Sequence, residues 1–193
     1  RRKRREEEKE ENEDFTIRVG MMNPMYLKDM INGLIDIYVK SNKIFKFIHI
    51  PVQSGREEVL RKMKGGHTAK IFNEIVSRFR EKIPDMTIAT DIITGFPDET
   101  EEDFELTLKM IKELEPDIIN SSKFSPRPGT SAFKLKRTDQ KIITQRSARL
   151  HSVIKNIAKK RNSRWLNWTG NILIDEINNG ELKGGNKFYK SKI

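Results

Sequence analysis

The side chains able to do chemistry gather in four short runs: GMMNP (20–24), PVQSG (51–55), TGFPDET (94–100) and SPRPGT (125–130). Each joins glycine or proline to an amide, hydroxyl or charged group. Taken singly, each also reads as a turn: glycine supplies positive φ, proline stops a strand, and Gln53 and Ser54 cap whatever helix follows. The groups that ordinary catalysis would need beside them are missing. There is no G-x-x-x-x-G-K loop and no G-x-G-x-x-G. The chain has no cysteine, which excludes disulfides and any thiolate-bound metal or iron–sulfur cluster built from these residues alone. His49, His67 and His151 show no zinc spacing. Asp91 is a single carboxylate in an apolar strand, and His49 has no serine or cysteine partner in view. No catalytic residue and no metal ligand is assigned. The runs suggest a cradle for a small molecule, with the chemistry supplied by a cofactor.

The elements that must position these runs alternate. FTIRV (15–19), FKFIHI (45–50), TIATDII (87–93) and DIINSSKF (117–124) are β-prone. Between them, Leu27, Met30, Ile31, Leu34, Ile35 and Tyr38 make a helical stripe, as do Ile71, Phe72, Ile75, Val76 and Phe79 after Thr68. Arg56 to Met63 reads as a short helix. Thr100 opens a capping-box-like T-E-E-D ahead of Phe104, Leu108, Ile111 and Leu114. Strand–helix alternation predicts a parallel sheet with right-handed crossovers. Most of the strands read as apolar on both faces, which favours a barrel or partial barrel. All four runs follow strands, and ligands of parallel α/β proteins bind there, so one shared pocket is expected.

The flanks differ. RRKRREEEKEENED (1–14) holds no apolar residue and reads as a charged tail. A long basic helix is expected from about Asp139 to Trp165. After Gly170, ILIDEI (172–177), a turn at NNG (178–180) and GGNKFYKSKI (184–193) read as the start of a small β-domain. There are 38 basic and 28 acidic residues, a formal charge of +10, which favours a polyanionic partner, nucleic acid first. No apolar run approaches the ~18 residues of a membrane span, and the basic N-terminal block has no apolar core behind it, so it does not read as a signal peptide. A cytoplasmic location is expected by default.

The longer stretches FKFIHIPVQSG (45–55), VLRKMKGGHT (59–68), TIATDIITGFPDETEEDFELTL (87–108) and SPRPGTSA (125–132), with RVGMMNP (18–24), resemble the radical S-adenosylmethionine methylthiotransferases. The 45–132 block is most similar to the archaeal and eukaryotic branch, which converts N6-threonylcarbamoyladenosine in tRNA to its 2-methylthio form. The resemblance implies the C-terminal sector of a partial (β/α) barrel over 15–166 and an incomplete TRAM-like RNA-binding β-barrel over 167–193. It implies S-adenosylmethionine and two 4Fe–4S clusters in the intact enzyme, one on a C-x-x-x-C-x-x-C loop and one on cysteines of an N-terminal domain. None of those cysteines is in this chain. The chain is therefore expected to be a C-terminal piece, lacking the N-terminal part and inactive by itself. Carried over by position, the cofactor cradle comprises Gln53, Ser54, Asp91, Ile93, Gly95 and Phe96, and Arg127 is a candidate contact for phosphate or substrate. Two departures stand out: Asp98 where the family usually has glycine, and Arg56 where serine or alanine is common.

For tRNA, the basic stripe Lys155, Lys159, Lys160, Arg161 and Arg164, with Trp165 and Trp168, suits phosphate contacts and base stacking. A solvated helix end with two packed tryptophans is the plainer alternative. Two other functions stay open at this point. One is a non-catalytic RNA-binding protein derived from the family. The other is a phosphate-binding barrel enzyme, although no glycine-rich helix start marks a phosphate site.

Overall fold

The structure, a computed structural model, describes residues 15–178 and 181–192. The tail at 1–14 and part of the 178–180 turn lie outside the described residues. Helix α1 (Pro24–Lys40) starts where the Asn23 side chain accepts the Met25 N–H at 2.9 Å, with Pro24 in the first turn. Its buried Leu27, Ile31, Ile35 and Tyr38 return every three or four residues. Strand β1 (Phe47–His49), α2 (Glu57–Met63) and α3 (Ala69–Lys82) follow, the last opened by Thr68, whose hydroxyl accepts the Ile71 N–H at 3.1 Å. Next come β2 (Thr87–Thr94), α4 (Glu101–Leu114), β3 (Ile118–Lys123), a 3-10 turn (Ser131–Lys134) and α5 (Gln140–Ser163). Thr100 and Asp103 form the capping box of α4.

β1, β2 and β3 lie side by side in that order, all parallel. One face of the sheet carries Ile48, Ile88 and Ile92 into a core shared with Phe72, Phe79, Phe104, Ile111 and Leu150 of the helices. Because side chains alternate along a strand, Ala89, Asp91 and Ile93 point to the opposite face. That face is not apolar throughout, contrary to the pattern expected from the sequence. β3 presents Asn120 and Ser122 there, both exposed, because β3 is an edge strand and this side of the open sheet meets solvent. The expected first strand is also shorter. Ile17 and Met21 make single parallel bridges to Ile44 and His49 but no continuous ladder. FTIRV therefore attaches at the edge beside β1 through a few bonds, such as Ile17 N–H to Lys43 O at 2.7 Å.

After α5, β4 (Ile172–Asn178), β5 (Glu181–Asn186) and β6 (Ser191–Lys192) form an antiparallel sheet in that order, with an irregularity between Ile174 and Glu176. These strands make an open sheet and not a closed barrel. Ile172, Leu173, Ile174, Ile177 and Leu182 are exposed on it. The sheet sits under the N-terminal ends of β1 and β2. Tyr189 packs on Phe47 with ring centroids 4.8 Å apart, and the Thr87 hydroxyl donates to Phe188 O at 2.6 Å. At this end Asp117, with a side chain 0% exposed, accepts from Arg161 at 3.1 Å and Arg164 at 2.7 Å. Arg80 stands 3.6 Å away, and the Ile88 N–H donates to the same carboxylate at 3.0 Å. Burial pulls the Arg80 and Arg164 guanidiniums below the usual arginine range, with Asp117 opposing that shift and the neighbouring arginines adding to it.

Candidate functional site

The C-terminal ends of the three strands surround a cavity of about 740 Å³, within the ~300–1,000 Å³ of ordinary ligand sites. It takes Gln53 from the loop after β1, Ile93 and Phe96 from the end of β2 and its loop, Ser122 and Phe124 from β3, and Arg127, Thr130 and Ser131 from the next loop. Three of the four polar runs thus meet in one place. The fourth, GMMNP, contributes no residue to this lining; its Asn23 instead caps α1.

Gln53 reaches the cavity from a left-handed backbone, φ 72°, a conformation that costs a non-glycine residue ~1–2 kcal/mol. The ladder imposes it. The Gln53 N–H donates to Asp91 O at 2.8 Å and the Ile93 N–H donates to Gln53 O at 2.9 Å. Strain held in this way beside a cavity is common at binding sites. Phe96 is buried against Phe124, edge to face at 5.0 Å, and together they give the cavity an apolar, aromatic side.

The other expected cradle residues stand behind or below it. Ser54 is fully buried, its hydroxyl 3.3 Å from that of Thr107 and accepting the Arg56 N–H at 3.2 Å. It anchors the loop to α4. The Gly55 N–H donates to the same Thr107 hydroxyl at 2.9 Å, and a Cβ on Gly55 would lie 2.7 Å from Leu106 O. Gly95 has φ +78°, and its Cβ would meet Ile143 of α5 at 2.5 Å. Its N–H is taken by Glu99 at 2.9 Å, so Gly95 lets the turn pass close under α5. Asp91 lies one pleat repeat, ~7 Å, below Ile93 on the same face. Its carboxylate bonds the His49 ring at 2.9 Å and accepts the Asn120 amide at 2.9 Å.

A buried ion pair, not anticipated from the sequence, holds the TGFPDET turn. Arg146 of α5 donates to the Glu99 carboxylate at 3.0 Å, to Glu99 O at 3.0 Å and to Glu101 at 3.0 Å. Burial pushes the Glu99 carboxyl up, and the Gly95 N–H and Arg146 pull it back. An arginine within an otherwise apolar helical stripe was the available signal. Asp98, where the resemblance has glycine, stands at φ 61°, a region in which glycine carries no steric penalty. Also missed from the lining are Lys62, Lys64 and Lys123. A lysine ending a strand that points at the shared rim was the signal for Lys123.

The basic stripe lies at the other end of the sheet. α5 begins over Gly95 and ends at Asp117, and its 24 residues span ~36 Å. Lys155 and Lys159 are exposed there. Lys160 pairs with Glu115, and Arg161 and Arg164 with Asp117. Trp165 packs on Phe188 at 5.2 Å and on Trp168 at 6.0 Å, beside a second cavity of about 400 Å³ lined by Trp165, Trp168, Tyr189 and Lys190.

The three parallel strands, their covering helices and a ligand-sized cavity at the strand ends define a parallel α/β protein. The radical SAM superfamily matches residues 1–111, and the chain belongs to that superfamily. Within it, the chain is 43% identical over 173 residues to the probable threonylcarbamoyladenosine tRNA methylthiotransferase of Pyrococcus horikoshii, covering 90% of this chain and 40% of that protein. It is 36% identical over 169 residues to the tRNA-2-methylthio-N(6)-dimethylallyladenosine synthase of Desulfotalea psychrophila, covering 87% and 37%. The chain thus spans about 40% of the length of the curated relatives it matches. Coproporphyrinogen III oxidase from Escherichia coli, a radical SAM enzyme, has the same fold, with a TM-score of 0.61 at 21% identity over 80% of this chain and 36% of that one.

The superfamily implies S-adenosylmethionine and an iron–sulfur cluster. The cavity fits a nucleoside: it has the volume, an aromatic side, an amide in Gln53 and hydroxyls in Ser122, Thr130 and Ser131. A cluster does not fit these residues. The chain offers no thiolate, and no group of three His, Asp or Glu side chains able to hold a metal occurs among the described residues. No helix among them is long and apolar enough to cross a membrane.

Proposed function

We propose that this chain forms the nucleoside-binding wall and part of the RNA-facing surface of a tRNA methylthiotransferase acting on N6-threonylcarbamoyladenosine. The observation that carries the reading is the convergence of Gln53, Ile93 and Phe96 from successive strand ends on one nucleoside-sized cavity, in a chain 43% identical to a relative of that name. When bound, S-adenosylmethionine supplies radical and methyl-donor chemistry to the family. What these residues do is bind and orient. The Gln53 amide, fixed by the ladder on either side, hydrogen-bonds the ligand's polar edge. Ile93, Phe96 and Phe124 cover its apolar faces and exclude water there. Glu99 and Arg146 hold the turn that carries Phe96.

tRNA contacts then divide between two regions. Arg127 serves the cavity, and Lys155 and Lys159 meet phosphates at the far end of α5. Arg161, Arg164, Lys160 and Trp165 hold the scaffold there. Residues 167–193 are the beginning of a TRAM-like β-domain, and the protein works in the cytoplasm together with the cysteine-bearing part that the family resemblance implies. The exposed Lys155 and Lys159 at the end of α5 also suit one second reading, a non-catalytic RNA-binding protein derived from this family.

Binding of tRNA carrying the threonylcarbamoyl base, followed by electrophoretic mobility shift at increasing salt, tests the reading. A complex at low salt that weakens steeply with salt, and that excess S-adenosylhomocysteine perturbs, is expected. No complex at low salt refutes the RNA role. A complex indifferent to S-adenosylhomocysteine favours the second reading.

A further inference from the structure

Around the cavity the charges are one-sided. Its lining includes Lys62, Lys64, Lys123 and Arg127 and no carboxylate. Lys62 is offset by Asp98 at 3.1 Å. Lys64, Lys123 and Arg127 make no ion pair among the described residues. Like charges placed around one concavity raise the local anion concentration and lower the cost of bringing an anion in. The same lining includes Phe96 and Phe124, packed edge to face at 5.0 Å, as an apolar aromatic part. Serine and threonine hydroxyls from 122, 125, 130 and 131 belong to the same lining. The cavity is therefore built for a ring that carries an anionic, hydroxyl-bearing arm.

We propose that the basic lining recognises the carboxylate of the threonylcarbamoyl arm, and that Lys123 and Arg127 select that base over one with an uncharged N6 substituent. This rests on the cavity being the nucleoside site and on its volume of about 740 Å³ admitting the substrate arm beside the cofactor. A threonylcarbamoyl arm ends in a carboxylate beside a hydroxyl. A dimethylallyl arm is hydrocarbon and offers three unpaired cations nothing. Overall similarity leans to the threonylcarbamoyl name, at 43% against 36% identity over nearly the same span, and the charge of the lining points the same way. Lys123 is placed for the role as the last residue of β3, and Arg127 follows in the loop that closes the cavity. A guanidinium and an ammonium that line one cavity can share one carboxylate.

An RNA phosphate and the carboxylate of S-adenosylmethionine are the other sources of a matching anion. Free nucleosides carry no phosphate, which separates the first. Titration of S-adenosylhomocysteine into Lys123→Met and Arg127→Met separates the cofactor: a loss of its binding of about tenfold there assigns the cations to it and overturns the proposal. Titration calorimetry of the full 193-residue chain would compare N6-threonylcarbamoyladenosine, its carboxyl methyl ester and N6-dimethylallyladenosine. The acid is expected to bind about tenfold tighter than the ester, the size of one charge-assisted hydrogen bond. Lys123→Met and Arg127→Met should each remove most of that ratio, and both side chains are exposed, so the fold should tolerate them. Far-ultraviolet circular dichroism confirms that each variant is folded. Equal binding of acid and ester overturns carboxylate recognition and leaves the nucleoside site standing. So does a result in which the two substitutions weaken tRNA binding but not the acid-to-ester ratio, which assigns the cations to phosphate. Failure of all three nucleosides to bind overturns the site itself.

Discussion

Replacing Arg146 with methionine should destabilise the fold by about 3–5 kcal/mol at neutral pH, the range for breaking a buried ion pair from one side. The Arg146 side chain is 5% exposed and that of Glu99 1%. Methionine fills much of the same volume, so the loss is electrostatic and not a cavity. It removes the bonds to the Glu99 carboxylate, Glu99 O and Glu101, and the Glu101 part counts for little because that carboxylate is half-exposed. Glu99 keeps only the Gly95 N–H. Its carboxyl is already raised by burial, so between the unfolded value and the higher native one the folded state holds more protons. This group's contribution is therefore most favourable below the unfolded carboxylate value and declines as pH rises through the native one. Removing Arg146 raises the native value further. The deficit of Arg146→Met should be largest near neutral pH and shrink on acidification, as Glu99 takes a proton. Urea unfolding of both proteins at two pH values measures it, and Glu99→Gln/Arg146→Met should be more stable than Arg146→Met alone. A deficit below about 1 kcal/mol, or one unchanged by pH, would refute the claim that this pair is desolvated and holds the turn.

Other consequences follow from the same packing. Asp117→Ala strands Arg80, Arg161 and Arg164 around a buried gap and should cost about 3–5 kcal/mol by chemical denaturation; a loss below 1 kcal/mol contradicts its role as the hub of that end. Gly55→Ala pushes a methyl against the α4 backbone and should cost about 1–3 kcal/mol, whereas Gly20→Ala, with nothing within 4 Å, should cost well under 1 kcal/mol. Lys155→Gln with Lys159→Gln should lower the slope of log K against log salt for tRNA by up to about 2 without changing stability. An unchanged slope places the phosphate contacts elsewhere.

Much of the scaffold was legible because its signals are local. Thr68 and Thr100, read as helix starts, each accept a backbone N–H there, and capping needs only a few adjacent residues. The parallel order followed from alternation alone. What was not legible depends on pairings far apart in the chain. Ser54 resembled a cavity residue, but its burial depends on Thr107. Arg161, Arg164 and Trp165 resembled an RNA stripe, yet Asp117 and Phe188 claim them through the second sheet. The weakness of the FTIRV strand reflects its place at an edge, where single bridges replace a ladder. Lys64 was passed over because a lysine in a chain this basic carries no local mark, whereas Lys123 could have been found as the last residue of a strand ending at the shared rim.

The account's central claim is that the strand-end cavity is the nucleoside site. Amide chemical-shift mapping of the isotope-labelled chain on titration with S-adenosylhomocysteine tests it most directly. Shifts clustered at Gln53, Ile93, Phe96 and Phe124, with the Trp165 and Trp168 indoles unmoved, are the predicted result. Shifts confined to the second cavity around Trp165, Tyr189 and Lys190 would contradict it.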